Sequence, residues 1–303
     1  YVDMVIDKRD AVILSGGDHV AMYNDLQWKM IHFGIIHVGD LHYCSRPYHH
    51  RKNKFFIKSK DGTLYAIGNE IEKGWILKQG KDESTFLKEF SYTLEKDNRF
   101  LSPAVSSSGN DSCFWLTDVH GNLVLLNKQT VAIFYPYQLG VGGDVLTCLL
   151  LDRDGRSVWV GYNQSYLGSA VIVHFDGDTV KKRITINDGL PSDWITVIVR
   201  DSSENLWFAS GNKKQNGSGG IAVLRNTKLT AYFQDSDGKM FGSCNALFSD
   251  NKGIVWTHAD NGIARFDGHS WKLFDSTMVS PDLPYARYSH IIQDKSGTVW
   301  FGT

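Results

Sequence analysis

No excess of one charge exists in this chain: 32 Lys and Arg stand against 33 Asp and Glu over 303 residues. Without a global field of either sign, nothing recruits nucleic acid or an anionic membrane, and neither is an expected partner. Long hydrophobic runs are missing too. A near-apolar stretch such as Val145 to Leu151 has the length of a buried strand, far short of the roughly 18 residues that span a bilayer. No signal-peptide pattern follows Tyr1, so the expectation is a soluble fragment of a longer chain, without membrane contact of its own. Cysteine is sparse: Cys44, Cys113, Cys148 and Cys244 form no CxxC and have no His at zinc spacing, which argues against a metal site built on them. Cys113, Cys148 and Cys244 fall in strand-like segments, where a free thiol acts as a small buried hydrophobe. Also missing are the GxSxG elbow, HExxH, the P-loop and the dinucleotide fingerprint. No cofactor, metal or catalytic residue is therefore expected, and the chain reads as a non-enzyme.

What is present is turn and strand chemistry. Proline is scarce at six residues, glycine abundant at 29, and aromatics make up 13% with nine Trp, a mixture suited to many strands joined by tight turns. Seven positions mark a repeat: Ile13, Tyr65, Trp115, Trp159, Trp207, Trp256 and Trp300, at steps of 52, 50, 44, 48, 49 and 44 residues. A period of that size signifies a radial or stacked array. The clearest unit, Cys244 to Ser276, holds four short apolar segments separated by Asn251-Lys252-Gly253, Asn261-Gly262 and Asp267-Gly268. That is the pattern of four antiparallel strands, A to D, joined by hairpins. Moving the unit back 243 residues places Trp256 on Ile13, Ile263 on Val20 and Trp271 on Trp28 without a gap. An acidic residue lies six positions before the marker in Asp7, Asp201, Asp250 and Asp294, and seven before it in Asp152. Because these aspartates recur with the repeat, they are turn residues before they are acids.

A lone four-stranded sheet has two faces to bury. Packing such sheets face to face around an axis covers both, and ring closure removes the ends. The expectation is an all-β chain, one seven-bladed β-propeller of four-stranded antiparallel blades. They span approximately 1–35, 54–92, 103–137, 144–187, 194–235, 243–276 and 288–303, with the last blade incomplete. A β-solenoid is the alternative fold. The strand B tryptophans then fill the wedge between sheets, and the small residue two positions on (Gly161, Ala209, Gly302) permits close contact.

The stretches DGLPSDWITVIVRDSSENLWFAS (188–210), GGIAVLRN (219–226), DNGIARFDGHSWKLF (260–274) and SHIIQDKSGTVWFGT (289–303) resemble the two-component regulator propeller repeat. The likeness is specific from about Val145 to Thr303 and weak over Phe55 to Gln138. It implies the sensor propeller of bacterial hybrid two-component systems or a related secreted propeller. It also implies an extracytoplasmic location, periplasmic or secreted.

Candidate function sits where the repeat breaks. Passing from strand B to strand C takes seven residues in the sixth repeat (Trp256 to Ile263), but twelve in the fourth (Trp159 to Val171) and fourteen in the fifth (Trp207 to Ile221). The fourth-repeat addition offers Tyr162, Asn163, Gln164 and Tyr166, flat amphipathic rings beside amides that suit stacking and hydrogen bonding to a sugar, or an ordinary solvated hairpin tip. The connections from D to the next A add Trp194, Phe241, Tyr285, Arg287 and Tyr288, with Arg287 able to clamp a carboxylate or sulfate, or simply to lie exposed. His19, His120 and His258 are expected in B-to-C connections converging on the mouth. The His-rich stretch from His37 to Lys54 reads as a polar surface loop that alternatively binds an anion. Three functions compete: a sensor or binding module for an oligosaccharide or other small polar ligand; a scaffold contacting another protein or a second propeller of the same chain; and, least favoured, a metal-assisted lyase.

Overall fold

In the computed structural model the described residues are 3–6, 12–16, 19–24, 27–32, 54–58, 64–70, 74–80, 88–92, 100–108, 111–118, 122–126, 131–141, 146–163, 172–211, 219–275 and 290–302. Side chains are described for Trp115 and for most of the ranges from 122 onward. Strands dominate. The first sheet holds β1–β4 (Asp3–Ile6, Val12–Gly16, His19–Asn24, Gln27–His32) and the second β5–β8 (Lys54–Lys58, Leu64–Glu70, Gly74–Gly80, Lys88–Tyr92). The third holds β9–β12 (Phe100–Ser108, Asp111–Asp118, Leu123–Leu126, Val131–Phe134) and the fourth β13–β16 (Leu146–Leu151, Val158–Tyr162, Ile172–Phe175, Val180–Ile184). The fifth is β17–β20 (Ile195–Arg200, Leu206–Ser210, Gly220–Arg225, Lys228–Tyr232) and the sixth β21–β24 (Cys244–Ser249, Val255–Ala259, Gly262–Phe266, Trp271–Asp275). A two-stranded seventh sheet pairs β25 (His290–Gln293) with β26 (Val299–Gly302). Each strand pairs antiparallel with its sequence neighbour, as hairpin turn chemistry dictates.

First strands of successive sheets lie side by side: β9 on β13, β13 on β17, β17 on β21 and β21 on β25, while β1 lies against β25. The A strands are therefore the inner ones. Three of them carry an irregularity at the same place, between Leu146 and Cys148, Ile195 and Val197, and Cys244 and Ala246. The extra residue stitches neighbours together. Thr196 Oγ1 donates to the Cys244 carbonyl at 2.6 Å, and Thr147 Oγ1 likewise reaches the Ile195 carbonyl.

Strand alternation explains how each sheet hides two faces. In β14, Val158, Val160 and Tyr162 join Trp115, Leu123 and Leu146 in the core against the third sheet. Trp159 points the other way, into a core with Ile198, Leu206 and Phe208 of the fifth. Trp207 does the same one sheet on, packing at 5.2 Å on Phe266 and edge-on to Trp271 at 5.9 Å. Burying one such large apolar side chain stabilises by roughly 1.5–3 kcal/mol, and isolating a sheet forfeits that on both faces. The close-contact position is equally sharp. A Cβ on Gly161 would stand 2.5 Å from Cys148 Sγ and 2.9 Å from Ile195 Cγ2, so only glycine lets these two sheets meet there.

Candidate functional site

The two ends of the sheets differ in construction. At the A-to-B end of the fifth to seventh sheets the turn aspartate does a fixed job: Asp201 Oδ1 accepts the amides of Ser203 and Asn205, both at 2.9 Å, and its Oδ2 accepts the Trp207 indole N–H at 2.7 Å. Asp250 treats Lys252, Ile254 and Trp256 alike, and Asp294 takes Thr298 and Trp300. The six-residue step seen in the sequence is thus the reach from a turn-capping carboxylate to the wedge indole. Trp115, which lacks the upstream acid, donates instead to the Arg156 carbonyl of the next sheet at 2.9 Å.

At the opposite end, B-to-C and D-to-A connections meet, and there the residues vary. Trp194 stands immediately before β17, on the seam of the fourth and fifth sheets, and forms an antiparallel bridge with Asn163 at the end of β14. Its carbonyl accepts the Gly211 amide at 2.8 Å. Its indole lies so close over Gly211 that a Cβ there would be 2.7 Å from the ring. Buried Ser192 fixes the arrangement, donating to the Gly211 carbonyl at 2.6 Å and accepting the Trp194 amide at 3.0 Å. Trp194 itself remains half-buried. Asn163 and Gly211 are the roots of the two extended B-to-C connections, so Trp194 sits between them.

One sheet on, Ser243 and Asp260 occupy the same backbone relation: the Asp260 amide donates to Ser243 O at 2.9 Å and Asp260 Oδ2 accepts the Ser243 amide at 2.8 Å. The D-to-A connections here also carry the exposed large apolar side chains among the described residues: Tyr135, Tyr137, Phe233 and Met240. Tyr135 and Tyr137 stack at 5.8 Å and 8° on the short helix α1 (Pro136–Leu139), which Arg183 Nε holds by its hydrogen bond to Leu139 O. Phe241, by contrast, is buried under Trp271.

Three sequence expectations, for Tyr162, His258 and His19, need correction. Tyr162 is not a loop ring: it pairs with Leu146, shares the parity of Val158 and Val160, and is fully buried, so it presents no face to a ligand. His258 lies within β22, not in a B-to-C connection. It shares the parity of Trp256, which packs edge-on against Phe301 of the seventh sheet, and takes the place filled elsewhere by Gly161 or Ala209. Burial pushes its imidazole below the ordinary 6.5, against the opposing pull of Asp260. His19 starts strand β3. Asn163 and Trp194 are brought together; Gln164, Tyr166, Tyr285, Arg287, Tyr288 and His120 lie outside the described residues, as does the run from His37 to Asn53. Ser192 and Gly211 were missed, and the only signal for them was their adjacency to Trp194 and to the long connection.

Chemistry at the remaining groups is muted. Burial raises the Cys148 and Cys244 thiols to about 12, keeping both protonated and unreactive, as small hydrophobes should be. Among the described residues no cluster of three or more His, Cys, Asp or Glu could hold a metal ion, and no helix is long and apolar enough to cross a membrane. A Ser–His–Asp grouping does occur, Ser157, His174 and Asp152, but both partners meet the same ring nitrogen: Nε2 is 2.9 Å from Ser157 Oγ and 2.8 Å from Asp152 Oδ2. A triad needs opposite nitrogens, one to orient and one to take the proton. Ser157 is also fully buried.

Among solved structures, one described as the extracellular domain of a hybrid two component system from B. thetaiotaomicron superposes with a TM-score of 0.57 at 14% identity, over 100% of this chain and 37% of that one. PorZ, described as a surface component of the type-IX secretion system of Porphyromonas gingivalis, gives 0.54 at 12%, over 99% of this chain and 49% of that one. A chain of the mitotic checkpoint complex gives 0.56 at 10% identity, over 99% and 85%. Such low identities establish the shared propeller fold alone, and the chain spans well under two thirds of the first two. No curated protein matches the sequence. Residues 189–212, which include Ser192, Trp194, β17 and the Asp201–Trp207 pair, match the two component regulator propeller family. The same aspartate-to-indole frame recurs in the sheets that follow, so residues 189–212 carry one stretch similar to the two component regulator propeller repeat within an all-β array of antiparallel sheets.

Proposed function

We propose that this chain is the extracytoplasmic sensing propeller of a two-component signalling protein, non-catalytic, recognising an oligosaccharide or other small polar ligand where the B-to-C and D-to-A connections meet. The observation that carries the reading is Trp194: a half-buried indole, fixed by Ser192 and Gly211, between the roots of the two longest B-to-C connections. A rigid aromatic face bordered by amides is what sugar stacking requires, because little conformational entropy is lost on binding. The sequence adds Gln164, Tyr166, Tyr285, Arg287 and Tyr288 to this end. The location and signalling role rest on the matched repeat and on the extracellular two component neighbour. Seven sheets closing into a ring is part of the same reading, supported by β1 lying against β25.

Calorimetric titration against an oligosaccharide panel tests it. A member of the panel binds, and Trp194→Ala weakens that binding at least about tenfold, roughly 1.4 kcal/mol, while the fold persists. Silence across the panel from intact protein sinks the proposal. A scaffold role is the second reading, favoured by the exposed Tyr135, Tyr137, Phe233 and Met240 on this same end.

A further inference from the structure

The fourth sheet's A-to-B turn is one residue longer than those of the fifth, sixth and seventh sheets, and the addition changes what its aspartate does. Asp154 takes over the turn, accepting the amides of Arg156 at 2.9 Å and Ser157 at 2.7 Å. Asp152 keeps the Trp159 indole N–H at 2.9 Å, and its Oδ1, besides accepting the Arg153 amide at 2.7 Å, turns outward to Arg200 of the fifth sheet at 2.6 Å. Unlike the other described aspartates of this frame, it is shared across a seam. His174 of β15 completes the cluster, its ring stacked on Trp159 at 4.3 Å and 3° and its Nε2 2.8 Å from Asp152 Oδ2.

The proton on that ring follows from its surroundings. Nε2 faces Asp152, which has no hydrogen to give, and Ser157 Oγ, whose hydrogen goes to Asp154 Oδ2. Neutral His174 therefore carries its hydrogen on Nε2, and a second proton must enter at Nδ1. Asp152 and Asp154 favour that charge; Lys181 of β16 and Arg200 of β17 oppose it, as does burial. Lys182 stands opposite His174 in the sheet register, and Glu204 pairs with Arg200 at 3.5 Å while also holding Arg153.

We propose that Asp152, His174 and Arg200 form a proton-sensitive latch across the seam of the fourth and fifth sheets. With His174 neutral, the Asp152 carboxylate tethers Arg200; uptake of a solvent proton at Nδ1 draws the carboxylate to its own sheet and releases the tether. His174 and Arg200 share the one carboxylate of Asp152, and all three side chains are less than a fifth exposed, so charge added to one redistributes the others with little screening by water. The tethered strand β17 begins directly after Trp194, so the latch and the candidate site share one rigid element.

The sign is fixed by burial, which holds His174 below 6.5 in the folded chain. The latch's stabilisation is complete above the unfolded value, about 6.5, and is lost as pH falls from there through the folded value. The test follows the Trp159 indole N–H and His174 Cε1–H resonances from pH 8 to 5, with thermal unfolding alongside. Both resonances titrate together with a midpoint below 6.5, and the melting midpoint falls by up to about 2 °C between pH 7.5 and 5.5. His174→Gln flattens the indole titration and reduces the melting change, His258→Gln leaves the indole titration in place, and Arg200→Gln shifts the indole at pH 8 toward its low-pH position. An indole that is flat in the unaltered protein, or that still titrates in His174→Gln, overturns the latch. If the variants do not fold, correlated or uncorrelated titration in the unaltered chain decides alone.

Discussion

The two ends of the sheets obey different rules. At one end, Asp201, Asp250 and Asp294 repeat a single arrangement of carboxylate, turn amides and indole. At the other, equivalent places hold Trp194 over Gly211 in the fifth sheet and Ser243 against Asp260 in the sixth. The contrast follows from what each end must do. A turn that satisfies buried amides and orients a wedge indole has few solutions, whereas a connection crossing between sheets needs only to satisfy its backbone and is free to vary. Uniformity marks the part that holds the sheets together; variation marks the part available for recognition.

Three substitutions probe that division. Asp201→Ala should have the largest effect, about 2–4 kcal/mol by urea denaturation with an unchanged m value, because it strands two turn amides and the buried Trp207 indole together. A loss under about 1 kcal/mol would mean that the repeated carboxylate is dispensable and the contrast empty. Gly161→Ala comes next, at about 1–3 kcal/mol, since its Cβ must displace Cys148 and Ile195 on the fourth–fifth seam. A neutral outcome would show that this seam has slack, and would weaken the case for a latch on it. Arg156→Ala should matter least: its ion pair with Asp178 at 3.3 Å is about three-quarters exposed on both sides, and a change beyond about 0.5 kcal/mol would contradict the division even at the uniform end.

The sheets were legible because their signals are local. Turn pairs such as Asn261-Gly262 and the step from Asp to Trp report backbone geometry that neighbouring residues alone determine. Tyr162 was misread because polar neighbours hide where β14 ends; its pairing with Leu146 carries the strand through it and its parity sends it into the core. His258 was misread for a related reason. A histidine two places after the indole looks like loop chemistry, yet β22 continues to Ala259 and the ring goes into the seam. Ser192 was invisible, because a serine shows its role only when the carbonyl of Gly211, nineteen residues on, is in place to receive it.

Sequence alone determined the repeat, the antiparallel order of its strands and the aspartates that cap its turns, since each depends on residues a few positions apart. Tertiary structure alone decided which groups meet across a seam: the backbones of Trp194 and Asn163, the side chains of Asp152 and Arg200, and Thr196 with the carbonyl of Cys244. Those contacts join residues 31 to 48 positions apart. They form only after the sheets have packed and excluded water, so no local pattern in the chain encodes them.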